Sequence, residues 1–177
     1  MTFFYNLPSL LNCNGLHPRL IAVGVRAISL STQDFFIETG IRTNAAQLEC
    51  WKQKKSKKNG IPEGVYKDNI LGTGRGQHQV NLKNGFGYAI DAVPFVNGKS
   101  LWASGLSGDE QWDLIFPVAD AWHKAAIELD TKIRWGGVWD TTLNNITLGK
   151  LREEVEAYKK RHAGPDFLDG PHYELEE

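Results

Sequence analysis

Apolar residues recur at helical spacing in three long parts of the chain, and each part predicts an amphipathic helix. The first spans Pro18–Leu30, the second spans Asp113–Leu129 and has the strongest apolar face, and the third, largely solvated, spans Thr147–His162. Pro117 should lie in the first turn of the second helix, where its missing N–H is tolerated. A shorter helix is expected over Asn44–Lys52.

Short segments rich in β-branched and aromatic residues predict strands. They are Phe35–Thr39, Gly87–Val96, Lys132–Trp139 and His172–Leu175. The second is the most apolar, so we expect it at the centre of a sheet, closed by Pro94 and the Asn97-Gly98 turn. Because helices and strands alternate without a regular βαβ rhythm, the pattern favours an α+β domain.

Between these elements, a polar stretch predicts a long exposed loop. Residues 52–58 contain five lysines in seven positions, and sequence containing Gly and Pro follows to about Gly76. We expect the part of this loop from Ser56 to Gly76 to be exposed.

Composition limits the number of domains and the classes of partner that the protein can have. The 177 residues, 41% of them hydrophobic, suffice for one core and therefore one domain. Twenty basic residues stand against 21 acidic ones, and a net charge of -1 gives no global attraction to nucleic acid or membranes. Cys13 and Cys50 fit no disulfide or metal pattern and are expected as free buried thiols. Neither a signal peptide nor a membrane-spanning run of about 20 apolar residues is predicted.

Two histidines and one aspartate are the candidates for metal chemistry. Three other histidines have ordinary explanations at a helix start or on predicted helices: His17, His123 and His162. His78 lies in a polar Gly-rich loop thirteen residues before Asp91, and His172 begins the last strand. Two imidazoles and one carboxylate can bind zinc and leave a fourth position for water. From the residues alone, a surface histidine and a paired buried carboxylate are the alternative interpretation.

The segments Gly76 to Pro94 and Asp169 to Leu175 resemble two metal-ligand motifs of a known family. The motifs are S-x-H-x-x-G-x-A-x-D and D/E-x-x-H-x-E, and the family is that of zinc D-Ala-D-Ala carboxypeptidases and L-alanyl-D-glutamate endopeptidases. The similarity covers most of residues 16 to 175 and is greatest to short single-domain phage endolysins. Further segments occur in family order: Leu30-Ser31 with Asp34-Phe35, Gly40-Ile41-Arg42-Thr43, Ala89-Ile90-Asp91 with Val96-Asn97-Gly98-Lys99, and Arg134-Trp135-Gly136-Gly137-Val138-Trp139.

The resemblance implies a role for each matching residue. His78, Asp91 and His172 would be the zinc ligands, Asp169 the general base, and Arg42 the group that stabilises the oxyanion of the tetrahedral intermediate. A structural salt bridge is the alternative for Arg42, and a loop cap beside Gly170 is the alternative for Asp169.

Glu174 lies two residues after His172, so on a strand both side chains point to the same face. It would either orient that ligand or bind substrate, or it would face solvent.

The chain departs from the family pattern in two places. Thirteen residues separate His78 from Asp91, where the family has seven, and Gly76 replaces the family serine. The additional residues should form a loop within Gln79 to Gly85, because metal coordination does not restrict the length of the chain between two ligands.

The implied fold is a small antiparallel sheet with helices packed on it and the zinc site at the sheet, as in hedgehog and D-Ala-D-Ala metallopeptidase domains. The implied activity is hydrolysis of the L-alanyl-D-glutamate bond of the peptidoglycan stem peptide by zinc-bound water. A D-alanyl-D-alanine carboxypeptidase and a non-catalytic, zinc-bearing wall-binding module are the alternatives. We expect residues 1–177 to form one catalytic domain without a wall-binding domain, and a monomer.

Two further expectations concern location and surface contacts. Without an export signal, the enzyme would accumulate in the host bacterial cytoplasm and act on the wall after the inner membrane is permeabilised. The lysines from Lys52 to Lys58 form either a solvated loop or a contact with anionic wall polymers or the outer membrane. Nucleic acid is not an expected partner, because the basic run lacks interleaved stacking aromatics and the C-terminal third is acidic.

Overall fold

The computed structural model describes residues 2–162 and 167–176, which contain five α-helices. The helices are α1 Leu7–Asn12, α2 Pro18–Leu30, α3 Asn44–Lys52, α4 Gly108–Glu128 and α5 Leu151–Arg161. Single 3-10 turns occur at Leu101–Ala103 and Leu143–Asn145. The predicted α2 and α3 are therefore confirmed with the same bounds.

The described part of the chain forms one main sheet, and every strand pair in it is antiparallel. The strands are β1 Phe35–Thr39, β2 Tyr66–Lys67, β3 Ile70–Leu71, β4 Ala89–Val96, β5 Lys99–Ser100, β6 Ile133–Trp135, β7 Val138–Thr142 and β8 His172–Leu175. Their order in the main sheet is β1-β4-β8-β6-β7, with β5 paired to the end of β4, whereas β2 and β3 form a separate hairpin. The prediction of a small antiparallel sheet in an α+β domain is confirmed.

The core lies between this sheet and helices α2 and α4, which pack on each other and on the sheet. Alternation along β8 divides its side chains between two environments, because successive residues of a strand point to opposite faces. Tyr173 stacks on Trp122 of α4, with ring centroids 4.3 Å apart, and Leu175 is also part of the core. His172 and Glu174 therefore share the other face of the strand.

Helix α4 begins five residues before the predicted start at Asp113. Ser107 and Glu110 form a capping box, in which each side chain bonds the backbone of the other residue. As a result Pro117 lies inside the helix, and its predicted position in the first turn was wrong.

The predicted strand Lys132–Trp139 is in fact two strands, β6 and β7, joined by a turn at Gly136-Gly137. Both glycines are sterically required: a Cβ on Gly136 would lie 2.1 Å from the carbonyl oxygen of Asp169, and one on Gly137 would lie 2.4 Å from the Trp135 ring. The turn thus holds the chain around Asp169 against the sheet.

The structure adds a hairpin and a short helix to the predicted elements. The predicted loop Ser56 to Gly76 contains the β2–β3 hairpin, whose turn residues Asp68 and Asn69 both have positive φ. The six-residue helix α1, capped by Asn6, was not predicted. The central strand ends at Val96, as predicted, and begins at Ala89, two residues after the predicted start at Gly87.

Helix α5 begins at Leu151, after the predicted start at Thr147, and ends at Arg161. None of the helices in residues 2–162 and 167–176 has the length and apolar character needed to span a membrane.

Candidate metal centre and active site

Three side chains from distant parts of the chain meet at the sheet. Asp91 on β4 lies directly opposite His172 on β8, and His78 reaches them from the preceding loop. His78 Nε2, Asp91 Oδ1 and His172 Nδ1 form a triangle in which each pair of atoms is 3.2 Å apart. Among the described residues this is the group whose donor atoms could hold a metal ion.

The spacing of the three atoms fits a tetrahedral metal site. Ligands at 2.0–2.1 Å from a zinc ion, separated by tetrahedral angles, lie about 3.3 Å from one another. Two imidazole nitrogens and one carboxylate oxygen are also donors that suit zinc. His78 and His172 are both buried, so the donor atoms are held away from bulk water.

The outward hydrogen bonds of the two histidines fix which ring nitrogen faces the triangle as an acceptor. The Nδ1–H of His78 donates to the carbonyl oxygen of Gly40 at 2.7 Å, and the Nε2–H of His172 donates to Glu174 Oε2 at 3.2 Å. Each remaining nitrogen then presents a lone pair to Asp91 Oδ1. Three acceptors converging at 3.2 Å repel one another unless a positive charge lies between them.

The pKa shifts of the residues in the triangle also favour a positive charge between the three atoms. Burial opposes ionisation of Asp91, yet the imidazoles of His78 and His172 hold its pKa well below its usual range. Burial would likewise lower the pKa of His172, but hydrogen bonds to Asp91 and Glu174 raise it to about 10. Both shifts indicate that these side chains favour a cation among them, either a proton or a metal ion.

Glu174 is buried and points at the site, so the solvent-facing alternative is wrong. Its Oε1 accepts a hydrogen bond from Arg134 Nε on the neighbouring strand β6 at 2.6 Å. Burial alone would raise the pKa of Glu174, but His172 and Arg134 lower it, so the carboxylate stays ionised and fixes the His172 ring.

The additional residues after His78 form the expected loop without displacing the ligand. The backbone N–H of Tyr88 donates to the carbonyl oxygen of Gln77, which ties the two ends of the loop together. Within it, Asn81 and Gly85 close a tight turn. The loop therefore begins and ends at nearly the same place, and its length has little effect on where His78 lies.

Arg42 lies at the edge of the triangle. Its backbone N–H donates to the carbonyl oxygen of His78 at 2.7 Å, and its Nη2 lies 3.5 Å from Asp91 Oδ2. The guanidinium is mostly covered but not fully buried. The structure thus brings Arg42 to the site, where it also forms the ion pair that was the alternative interpretation.

Asp169 is held beside the site by its backbone. Its N–H donates to the carbonyl oxygen of Gly136 at 2.8 Å, and its own carbonyl oxygen accepts from the N–H of His172 at 3.0 Å. Among the described residues its carboxylate accepts no hydrogen bond, so it does not cap the loop. Burial, and then the charge of Asp91, raise its pKa, which suits a group that takes up and releases a proton.

Comparison with known proteins agrees with this geometry. The sequence model of the family described as phage L-alanyl-D-glutamate peptidase matches residues 1–176. The chain belongs to this family. A curated relative, the L-alanyl-D-glutamate peptidase of Escherichia phage T5, is 29% identical over 159 residues, which is 89% of this chain and 87% of the relative.

A solved structure shows the same fold. The L-Ala D-Glu endopeptidase ChiX of Serratia marcescens aligns with a TM-score of 0.62 and 24% identity over 98% of this chain and 90% of ChiX. The predictions of a peptidase acting on peptidoglycan, and of its family, are confirmed. The alternative of a non-catalytic wall-binding module is not supported, since the family is one of peptidases.

Gln47 is a residue of this peptidase that sequence reasoning missed. Its side chain is almost fully buried on α3. Gln47 Oε1 accepts from Arg42 Nη1 at 3.2 Å, while Nε2 donates to Ser56 Oγ at 2.8 Å and to the carbonyl oxygen of Lys58 at 2.6 Å. Gln47 therefore fixes the Arg42 guanidinium and joins it to the lysine-rich segment.

Replacing Gln47 with leucine should lower kcat about tenfold, because Arg42 loses a fixed acceptor and the buried hydrogen bonds are not replaced. The measurement is peptidoglycan hydrolysis beside Gln53→Leu, a change at an exposed glutamine just after the same helix. In an Arg42→Ala background, Gln47→Leu should have little further effect on kcat. An equal loss in both backgrounds would show that Gln47 does not act through Arg42.

Proposed function

We propose that this chain is a zinc endopeptidase that cuts the L-alanyl-D-glutamate bond of the peptidoglycan stem peptide, with zinc held by His78, Asp91 and His172. The observation that carries the proposal is the 3.2 Å triangle of three inward-facing acceptor atoms, two of them on histidines whose other nitrogens are already hydrogen-bonded. A zinc ion bound there would polarise the scissile carbonyl and lower the pKa of a coordinated water.

Asp169 is the general base in this proposal. Its carboxylate has no hydrogen-bond donor among the described residues and lies beside the last ligand, so it is available to a water molecule that attacks the peptide bond. Asp169 would take the proton of that water and then give it to the leaving amine of D-glutamate. Its raised pKa favours the second transfer.

Arg42 would bind the carbonyl oxygen of the scissile bond as negative charge develops on it. A guanidinium that is already oriented needs little reorganisation during the reaction, which is the main benefit of such electrostatic stabilisation. Asp91 and Gln47 hold Arg42 from two sides. The pairing with Asp91 is therefore compatible with a catalytic role.

The choice of bond is supported by the relatives. The matching family, the phage T5 relative and ChiX are all named for the L-alanyl-D-glutamate bond, which favours an endopeptidase over a D-alanyl-D-alanine carboxypeptidase. The proposal retains a monomer whose residues 1–176, the part matched by the family model, form one catalytic domain. A single continuous core over the described residues is compatible with that organisation.

Asp169→Asn should retain one bound zinc per chain. Its rate of peptidoglycan hydrolysis should fall by about 100-fold to 10,000-fold, which is the usual contribution of a general base. Purified peptidoglycan is digested, new termini are identified by mass spectrometry, and zinc is measured by atomic emission. Wild type should produce N-terminal D-glutamate, and His162→Ala, which changes an exposed histidine away from the triangle, should do the same. Release of D-alanine by wild type, or full activity of Asp169→Asn, would contradict the proposal.

We also propose that the enzyme accumulates in the host cytoplasm and reaches the wall only after the inner membrane is permeabilised. The family is described as a phage family, so synthesis takes place inside the host, whereas peptidoglycan lies beyond the inner membrane. Cells that express the wild type alone should remain intact and should lyse on addition of chloroform, unlike cells that express Asp169→Asn. Wall digestion while the inner membrane is intact would contradict this proposal.

A further inference from the structure

A groove of about 480 Å³ runs between the lysine-rich segment and the chain that leads to Asp169. We call it the lysine groove. Its lining is mostly apolar, with two aromatic rings and several lysines: Trp51, Phe167, Lys52, Lys54, Lys55 and Lys57. Apolar surface flanked by positive charge is suited to a ligand that is both partly aliphatic and anionic.

The positive charge of the groove is not neutralised within the described residues. No carboxylate in residues 2–162 and 167–176 lies within 4.0 Å of Lys52, Lys54, Lys55 or Lys57. By contrast, Lys150 at the N-cap of helix α5 and Lys159 within that helix are each paired with a glutamate. The described residues therefore leave these lysines available to carboxylates from outside the chain.

One wall of the groove is connected to Arg42. Gln47 donates to Ser56 and to the carbonyl oxygen of Lys58, and it accepts from Arg42, which lies beside Asp91. The lysine-rich segment is thus one buried side chain away from the arginine of the active site.

The other wall is connected to His172 and Asp169. The carbonyl oxygen of Phe167 accepts from Trp139 Nε1 at 2.7 Å, and the ring of Trp139 lies 5.2 Å from that of His172. Phe167 is also only two residues before Asp169. Contacts of one or two side chains therefore link each wall of the lysine groove to active-site residues, which supports a role for the groove in binding the same substrate.

The substrate carries charge on one side of the cleaved bond. D-glutamate has two carboxyl groups and only one of them continues the peptide, so the residue that supplies the leaving amine has a free carboxylate. The L-alanine on the other side has no charged side chain. Opposite charge at close range favours placing the D-glutamate side toward the lysines.

We propose that the lysine groove binds the acidic part of the stem peptide, from D-glutamate onward, with the lysines pairing with its carboxylates and Trp51 and Phe167 covering its aliphatic portion. This assignment rests on the proposed function. It gives the lysine-rich segment a role in substrate affinity and in the orientation of the peptide across the active site. Because the lysines are exposed, their contribution is weakened by salt.

The test uses the full-length zinc-loaded enzyme and two synthetic N-acetylated peptides that contain the L-alanyl-D-glutamate bond followed by two residues. In one peptide the carboxyl groups beyond the bond are free, and in the other they are amidated. The variant is K54Q/K55Q/K57Q. Its matched control is K99Q/K132Q/K160Q, which removes three exposed lysines that do not line the groove.

On the acidic peptide, K54Q/K55Q/K57Q should raise KM about tenfold and leave kcat within about twofold, since several exposed ion pairs are lost together. The control triple and the charge-conserving K54R/K55R/K57R should retain the wild-type KM. On the amidated peptide K54Q/K55Q/K57Q should have the same KM as the wild type. Added salt should raise the wild-type KM for the acidic peptide and have little effect on the glutamine triple.

Three results would overturn the assignment. The first is an unchanged KM of K54Q/K55Q/K57Q on the acidic peptide, and the second is an equal rise of its KM on both peptides. The third is a loss of activity that is seen only with whole sacculi, which would indicate adhesion to anionic wall polymers instead. A wild-type enzyme that retains zinc but cuts neither peptide would overturn the proposed function itself.

Discussion

The pairing of β4 with β8 is the constraint on which the site depends. Antiparallel register places Asp91 directly opposite His172, on strands whose neighbouring residues Ile90 and Tyr173 are packed in the core. Cross-strand neighbours of this kind have their Cβ atoms only about 5 Å apart, so two donor atoms are brought together by the sheet itself. Because the sheet fixes Asp91 and His172, only the position of His78 depends on the loop before β4, and the longer loop does not disturb the triangle.

Contacts around the triangle determine the chemistry of each donor. Gly40 and Glu174 accept hydrogen bonds from the outward N–H groups of the two histidines. Arg134 keeps Glu174 ionised, and the Gly136-Gly137 turn holds Asp169 beside His172. Mutation of such supporting groups typically lowers metal affinity or activity by about 10-fold to 100-fold. The β8 strand supplies one ligand and one supporting carboxylate on the same face, and its alternate residues pack into the core.

The sequence allowed the fold class to be predicted, because amphipathic periods are local signals, and it gave the observed bounds of α2, α3, β1 and β8. His78, Asp91 and His172 were expected as a group from the family resemblance, and the structure brings the three side chains together. The β6–β7 turn was missed although Gly136-Gly137 was a usable signal, since two glycines between short runs with β-branched and aromatic residues are typical of a hairpin. The hairpin at Asp68-Asn69 lacks the common Asn-Gly signal. Gln47 could not be identified at all, since its importance comes from Arg42, Ser56 and Lys58, which meet it only in the folded chain. For α4, the Ser107–Glu110 capping box was a usable signal.

The most direct test of the central claim is anomalous X-ray scattering at the zinc edge from crystals of the wild-type protein. The account predicts one strong peak about 2.0–2.1 Å from His78 Nε2, a carboxylate oxygen of Asp91 and His172 Nδ1. A zinc peak elsewhere, or a folded and active enzyme with no metal at these three atoms, would contradict it.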